Sequence, residues 1–289
     1  MGETNISWCD HSINPIRARH KSTKAVGHYC EKISPGCRNC YASKMQPRFQ
    51  MPFFQAQQVD GNKANVQPFF VRDSLLQVSH RKKPTKYLWA DMTDLFGSWV
   101  HDLWIEACFA IMAATPQHTH MVLTKRPDRM ALWATRPHLL QKLHEAQGIY
   151  GLPSLVLNTW PLPNVWCGVS VENQEAAAHR IPLLSQVPAT IRFLSVEPLL
   201  ETVNLAPFLG PGPEKIHWVI IGGESGPQAR ECQTTWIAAI IKVCEATGTA
   251  CFVKQMGSHG HTWGDPKGAD PREWPPALQV QNFPQPSHV

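Results

Sequence analysis

Short apolar runs, each ended by polar or charged residues, recur along this chain. KYLWAD (86–91), HTHMVLTKR (118–126), NVWCGVSVE (164–172), TIRFLSVEP (190–198), KIHWVIIGGES (215–225) and TACFVKQ (249–255) are the clearest, and TNISW (4–8) precedes them. Their apolar positions are nearly continuous rather than alternating, the pattern of parallel strands covered on both faces. Helical periodicity lies between them. Over 98–116, Val100, Leu103, Trp104, Ala107, Cys108 and Ile111 share one face, and Pro116 follows. Residues 234–248 repeat the arrangement with Trp236, Ile237, Ile240, Ile241 and Cys244, and Gly248 suits the C-terminal stop. Pro127 fits the first turn of another helix. The alternation predicts an α/β fold: a (β/α) TIM-type barrel or partial barrel of about six to seven parallel strands. A doubly wound open sheet is the competing closure.

Two stretches break the alternation. Residues 46–80, rich in Gln and Phe, and 137–163, with four prolines, read as insertions or long loops. From about Gly264 to Val289 the prolines crowd, which predicts a tail that is disordered or ordered only on contact. One barrel domain is expected over 1–263, with 264–289 appended. There is no repeat of fixed period.

With 43% hydrophobic and 17% charged residues over 289, the chain has ample material for a core. No apolar run reaches the ~18 residues of a membrane span, and the polar start MGETNISWCD is no signal peptide, so a cytoplasmic protein is expected. A net charge of +5 permits an anionic partner without demanding one. Arg17, Arg19, Lys21 and Lys24, and again Arg81, Lys82, Lys83 and Lys86, could meet the phosphates of DNA or RNA. Ordinary solvated faces explain them equally well.

In parallel α/β folds reactive groups gather at the carboxyl ends of the strands. Here those ends offer Asp91, Thr93 and Asp94, then Thr124, Lys125 and Arg126, then Ser170, Glu172 and Asn173. Ser195 and Glu197, Glu224 and Ser225, and Lys254 and Gln255 complete the set, with Asn173 reading as a helix cap. Gly222-Gly223 could let backbone approach a phosphate, or serve only a tight turn. No G-x-G-x-x-G follows a strand, and no P-loop, H-E-x-x-H or G-x-S-x-G is present.

Nine cysteines, an odd count in a long chain, argue against a disulfide framework. Cys108, Cys167, Cys244 and Cys251 sit in apolar stretches and read as core. Cys30, Cys37 and Cys40 crowd into the loop segment CEKISPGCRNC, which reads as a metal site. Three thiolates can hold a [4Fe–4S] cluster and leave one iron open to a chelating molecule such as S-adenosylmethionine. They could instead hold zinc, with His28 or Cys9 as fourth ligand, in a non-catalytic accessory or nucleic-acid-binding module.

NISWCDHSINP, CEKISPGCRNCYAS, DMTDLF, LTKRPDR, NVWCGVSVE, RFLSVEPLL, WVIIGGESGPQAR and FVKQMG resemble, in order, a phage-associated family of three-cysteine proteins of formerly unknown function. The resemblance spans about residues 4–257. The C-x6-C-x2-C motif is similar to the cluster loop of radical S-adenosylmethionine enzymes, whose usual spacing is C-x3-C-x2-C. Two positions depart from the family, Cys9 where it has threonine and Ile13 where it has tryptophan, and RARHKSTK (17–24) adds residues before Cys30. Cys9 is open to three readings: a fourth cluster ligand, a hydrogen donor at the mouth, or a neutral substitution.

The resemblance implies that Cys30, Cys37 and Cys40 bind the cluster and that Tyr41 packs near it or the adenine. It implies reductive cleavage of S-adenosylmethionine to a 5′-deoxyadenosyl radical, with an external one-electron reductant of flavodoxin or ferredoxin type. By position, Asp91 or Asp94 would take the cosubstrate's amino group, and Ser170 and Glu172 its ribose. Ser195 belongs with these cofactor-binding positions, as does Glu197, which with Lys125, Arg126, Glu224, Lys254 and Gln255 is also available to substrate. A nucleic acid or nucleotide is the substrate class the resemblance suggests.

Overall fold

A computed structural model of the chain describes residues 2–43, 53–55, 65–260 and 263–285. Its elements run β1 (Gly2–Glu3), β2 (His11–Ile13), β3 (Ile16–His20), β4 (Val26–Cys30), β5 (Phe53–Gln55), β6 (Val66–Phe70) and α1 (Arg72–His80). Then come β7 (Lys86–Trp89), α2 (Asp102–Ala113), β8 (Thr119–Thr124), α3 (Pro127–Ala134), α4 (Leu139–Tyr150), β9 (Val165–Ser170) and α5 (Gln174–Ser185). The chain ends with β10 (Ile191–Val196), β11 (Trp218–Gly222), α6 (Thr234–Thr247) and β12 (Ala250–Gln255).

One sheet has the order β1-β2-β7-β8-β9-β10-β11-β12. β1 is antiparallel to β2, and the other seven strands are parallel and curl as a half-barrel. From β7 onward each strand lies beside its predecessor, with no reversal of order. A doubly wound sheet needs such a reversal, so the partial barrel is the form the α/β pattern takes. β9, β10 and β11 are buried at every position, which is why their sequences do not alternate.

Several expected elements move. TNISW is not a strand: residues 4–8 are irregular, and the first parallel strand is His11–Ile13, too short to show a period. Val100 precedes its helix, which begins at Asp102. The stretch 137–163 contains α4, whose Leu139, Leu143 and Ala146 form one buried stripe between the flanking prolines. Residues 46–80 hold β5, β6 and α1; the remainder of that expectation, 46–52 and 56–64, lies outside the described residues. β5-β4-β3-β6 form a second sheet that the sequence did not announce. The basic stretch 17–24 is its hairpin, with Ala18 opposite Gly27 and Arg19 opposite Val26.

Two compact units divide the chain: 1–33, 42–166 and 188–190 in one, and 34–41, 167–187 and 191–289 in the other. In the second unit the proline-rich tail is ordered where it is described. Val253 N–H donates to Val280 O (2.7 Å) and Asn282 N–H to Cys251 O (2.8 Å), so the tail pairs with the exposed edge of β12. Phe283 packs on Trp218 and Phe252, and Trp274 is buried with its indole N–H donating to Gly268 O. Contact with an edge strand and an aromatic cluster supplies the order that composition alone would deny.

In the first unit, His120 is fully buried on β8. Trp89 Nε1–H donates to its Nδ1 (3.1 Å), and its Nε2 lies 3.0 Å from Thr115 Oγ1. Burial, then His118, lowers its pKa to about 3. Burial likewise lowers His28 and His217 to about 4. The unfolded chain protonates these rings near pH 6.5 while the folded protein refuses the proton, so stability drops as pH falls below 6.5. Urea unfolding between pH 7 and pH 5 should therefore show a decline approaching about 1.4 kcal/mol per pH unit for each such histidine. A flat profile over that range would contradict the buried neutral rings.

Candidate functional site

At the β7 and β8 ends of the first unit, Asp94 is buried and its carboxylate is saturated. It accepts from Thr124 Oγ1 (2.6 Å), Arg126 Nη1 (2.9 Å), Phe96 N (2.9 Å) and Lys125 N (3.1 Å). Arg126 also donates to Glu31 O (3.1 Å) and lies over the Trp99 ring at 4.7 Å. Burial alone would lower the arginine's pKa; the charges of Asp94 and Cys30 outweigh it and raise it. Arg126 is thus locked between a carboxylate and an indole, and it reaches the electrostatic field of Cys30. Asp91 accepts from Asn14 Nδ2 (2.5 Å), and Lys125 is held through its backbone with its side chain half-exposed. Cys9 is buried in the Ile6–Cys9 turn.

Beside Trp99 lies a cavity of about 280 Å³ that the sequence did not single out, lined by Tyr29, Val66, Pro68, Ser98, Trp99, Val100 and His101. Tyr29 meets Trp99 edge-on at 4.9 Å. Burial, then its hydrogen bond to Glu31, pushes the Tyr29 phenol up, so it stays protonated and a donor.

In the second unit each strand-end acid has its own cation. Glu172, after β9, is 0% exposed and pairs with Arg180 of α5 (Nη1 to Oε2, 2.8 Å), which also donates to Ser170 O. Asn173 caps α5, its Oδ1 accepting from Ala176 N (2.9 Å), as its position predicted. At the end of β10, Ser195 Oγ donates to Glu197 Oε2 (3.2 Å), and Lys254 Nζ of β12 stands 2.9 Å from Glu197 Oε1. Glu224, after β11, is 5% exposed and receives Arg230 three times, through N, Nε and Nη2. Burial would raise the Glu224 carboxyl, but Arg230 and Asn39 outweigh it and hold it below the usual carboxylate range. Gln255 is buried and donates to Gly223 O (2.7 Å).

The two glycines now have a cause. A Cβ on Gly222 would come 2.6 Å from Glu197 Oε1, and one on Gly223 would come 2.2 Å from Met256 O. Close packing of backbone and carboxylate, the turn reading, accounts for the pair without a phosphate.

The segment Ser34–Tyr41 belongs to this second unit. A short 3-10 turn, Pro35–Cys37, starts it, with Gly36 against the Glu172 carboxylate, where a Cβ would sit 3.0 Å from Cδ. Asn39 Nδ2 donates to Glu224 Oε2 (2.9 Å) and to Gln228 O (2.7 Å). Cys37 and Cys40 are therefore carried by a segment seated on two strand-end carboxylates. Tyr41 follows, 40% exposed. Cys30 closes β4 in the first unit. None of the nine cysteines forms a disulfide, and Cys30, Cys37 and Cys40 are half-buried. Among the described residues, no group of three or more His, Cys, Asp and Glu stands together in a way that could hold a metal ion.

The partners Arg180, Arg230 and Asn39 escaped the sequence reading. Arg180 lies eight residues after Glu172 and Arg230 six after Glu224, but such spacing is common on surfaces. Only Asn39, inside the C-x2-C pair, offered a local signal.

These features define a parallel α/β protein with a three-cysteine motif, two of its thiols on a segment seated at the strand ends. The chain belongs to a family described as "Protein of unknown function (DUF5131)", whose model matches residues 3–278. No curated protein matches it. Among solved structures it is similar at 11% identity to a singly substituted spore photoproduct lyase, covering 68% of this chain and 70% of that one, with a TM-score of 0.38. A doubly substituted spore photoproduct lyase with bound AdoMet and dinucleoside spore photoproduct is similar at 11% identity and a TM-score of 0.37, covering 85% of this chain and 64% of that one. At those scores the likeness carries nothing to this chain's residues. No helix among the described residues is long and apolar enough to cross a membrane.

The Glu172–Arg180 pair sets a stability test. Arg180→Met leaves a carboxylate buried without its partner and should cost about 3–5 kcal/mol in urea unfolding. Pairing it with Glu172→Leu should recover most of that loss. Equal stability of the single variant and the parent would refute the pair's role.

Proposed function

We propose that this chain is a radical S-adenosylmethionine enzyme, with a [4Fe–4S] cluster held by Cys30, Cys37 and Cys40. The observation that carries the reading is the seat of the cysteine segment on Glu172 and Glu224, at strand ends where parallel α/β folds place their chemistry. The donor set suits the group: three half-buried thiols, none in a disulfide, leaving one iron for a cosubstrate. That all three serve one cluster rests on their spacing in the sequence.

When bound, the cluster supplies the electron that breaks a carbon–sulfur bond of S-adenosylmethionine. The chain's own residues do the rest. Glu197 and Ser195 present oxygens to the cosubstrate, with Lys254 balancing Glu197, and Tyr41 offers a ring to the adenine. Asp94, Glu172 and Glu224, held by arginines and by backbone donors, serve as framework. Arg17 and Arg19 on β3, with Lys21 and Lys24 in its turn, favour an anionic substrate, a nucleic acid or nucleotide. The electron comes from a flavodoxin- or ferredoxin-type donor, in the cytoplasm.

The decisive measurement is metal and sulfide on protein purified without oxygen. About four iron and four sulfide per chain are expected, with absorbance that bleaches on dithionite. Cys30→Ala, Cys37→Ala and Cys40→Ala should each lose them, and Cys108→Ala should not. Zinc without sulfide, or full iron in all three variants, would sink the proposal.

A further inference from the structure

The C-x2-C half of the motif holds an asparagine whose amide nitrogen donates twice. Both contacts of Asn39 Nδ2 go to the body of the second unit: Glu224 Oε2 at 2.9 Å and Gln228 O at 2.7 Å. Its acceptor is no ordinary surface acid. Glu224 is buried, and Arg230 binds it through its backbone N–H and through Nε and Nη2 on one edge of the guanidinium. A carboxylate so held cannot turn away, so the asparagine has a fixed point to grip. Hydrogen bonds to an ionised acceptor are shorter and stronger than neutral ones. The second anchor of the segment, Gly36 on Glu172, works by close packing: a larger residue there must displace a carboxylate already clamped by Arg180.

We infer that Asn39 is a positioning residue, which, through the Glu224–Arg230 pair, fixes Cys37 and Cys40 relative to the ends of β9 and β11. The inference rests on the reading of those cysteines as cluster ligands. Asn39 touches neither metal nor substrate in this role; it sets where two thiols stand before a metal arrives.

Three variants test it: Asn39→Ala, which removes the grip; Asn39→Asp, which sets a carboxylate against Glu224; and Glu224→Gln, whose amide oxygen can still accept from Asn39. Two readouts separate position from mere folding. In the metal-free protein, amide hydrogen exchange over residues 35–41 should speed up about tenfold in Asn39→Ala and more in Asn39→Asp, with exchange in α5 and β10 unchanged. In protein reconstituted to equal iron content, Asn39→Ala should release iron to a chelator about tenfold faster and show a changed electron paramagnetic resonance line shape, while Glu224→Gln stays nearer the parent. Wild-type exchange over 35–41 in Asn39→Ala overturns the inference. So does wild-type iron release with an unchanged line shape. If the parent chain takes up no iron, the enzyme proposal fails and the inference falls with it, whereas normal loading with unaltered exchange overturns the inference alone.

Discussion

Everything at the strand ends depends on carboxylates that have been taken out of water without being left charged and alone. Glu172 and Glu224 are the clearest cases, and an unpaired acid in either place would be held at a cost of several kcal/mol. Each is balanced by a single arginine that returns from the segment just after its strand, Arg180 from α5 and Arg230 from the loop before α6. Asp94 and Arg126 do the same between β7 and β8, and Lys254 stands against Glu197 between β10 and β12. The sequence shows a row of acids; the structure shows a row of neutral pairs. Charge is therefore a poor guide to what these ends attract. Their use is as fixed acceptors.

That distinction explains what could be read from the chain and what could not. The strands from β7 onward were legible because burial on both faces writes continuous apolar runs, and the order of those runs is the order of the sheet. β2 was missed because three residues carry no period, and TNISW was taken in its place because its residues favour strands without packing as one. α4 hid between prolines, although its stripe of Leu139, Leu143 and Ala146 was present. The second sheet was missed for another reason: in IRARH the charged positions suggested a solvated face, when Ala18 was already pointing to a core shared with Tyr29 and Val66.

The strand-end residues are legible from their position after apolar runs, but their partners in the fold are not. Nothing in the sequence tells which arginine will turn back onto which acid. A reader counts Glu172 as a ligand for a ribose until Arg180 is seen against it. The glycines illustrate the same limit from the other side. Gly222 and Gly223 looked like a place for a phosphate to approach, and they are instead where a carboxylate and a neighbouring backbone approach.

The clamp on the cysteine segment follows from this economy. Arg230 supplies three donors to Glu224, and Asn39 adds a fourth that helps hold the carboxyl below its usual range. Because that donor comes from a residue lying between two cysteines, it constrains the segment as well as the acid. The same holds for Gly36, whose missing side chain matters only because Glu172 has been immobilised beneath it. Two acids made rigid for reasons of burial become, at no further electrostatic expense, the two points that decide where the thiols of Cys37 and Cys40 can be.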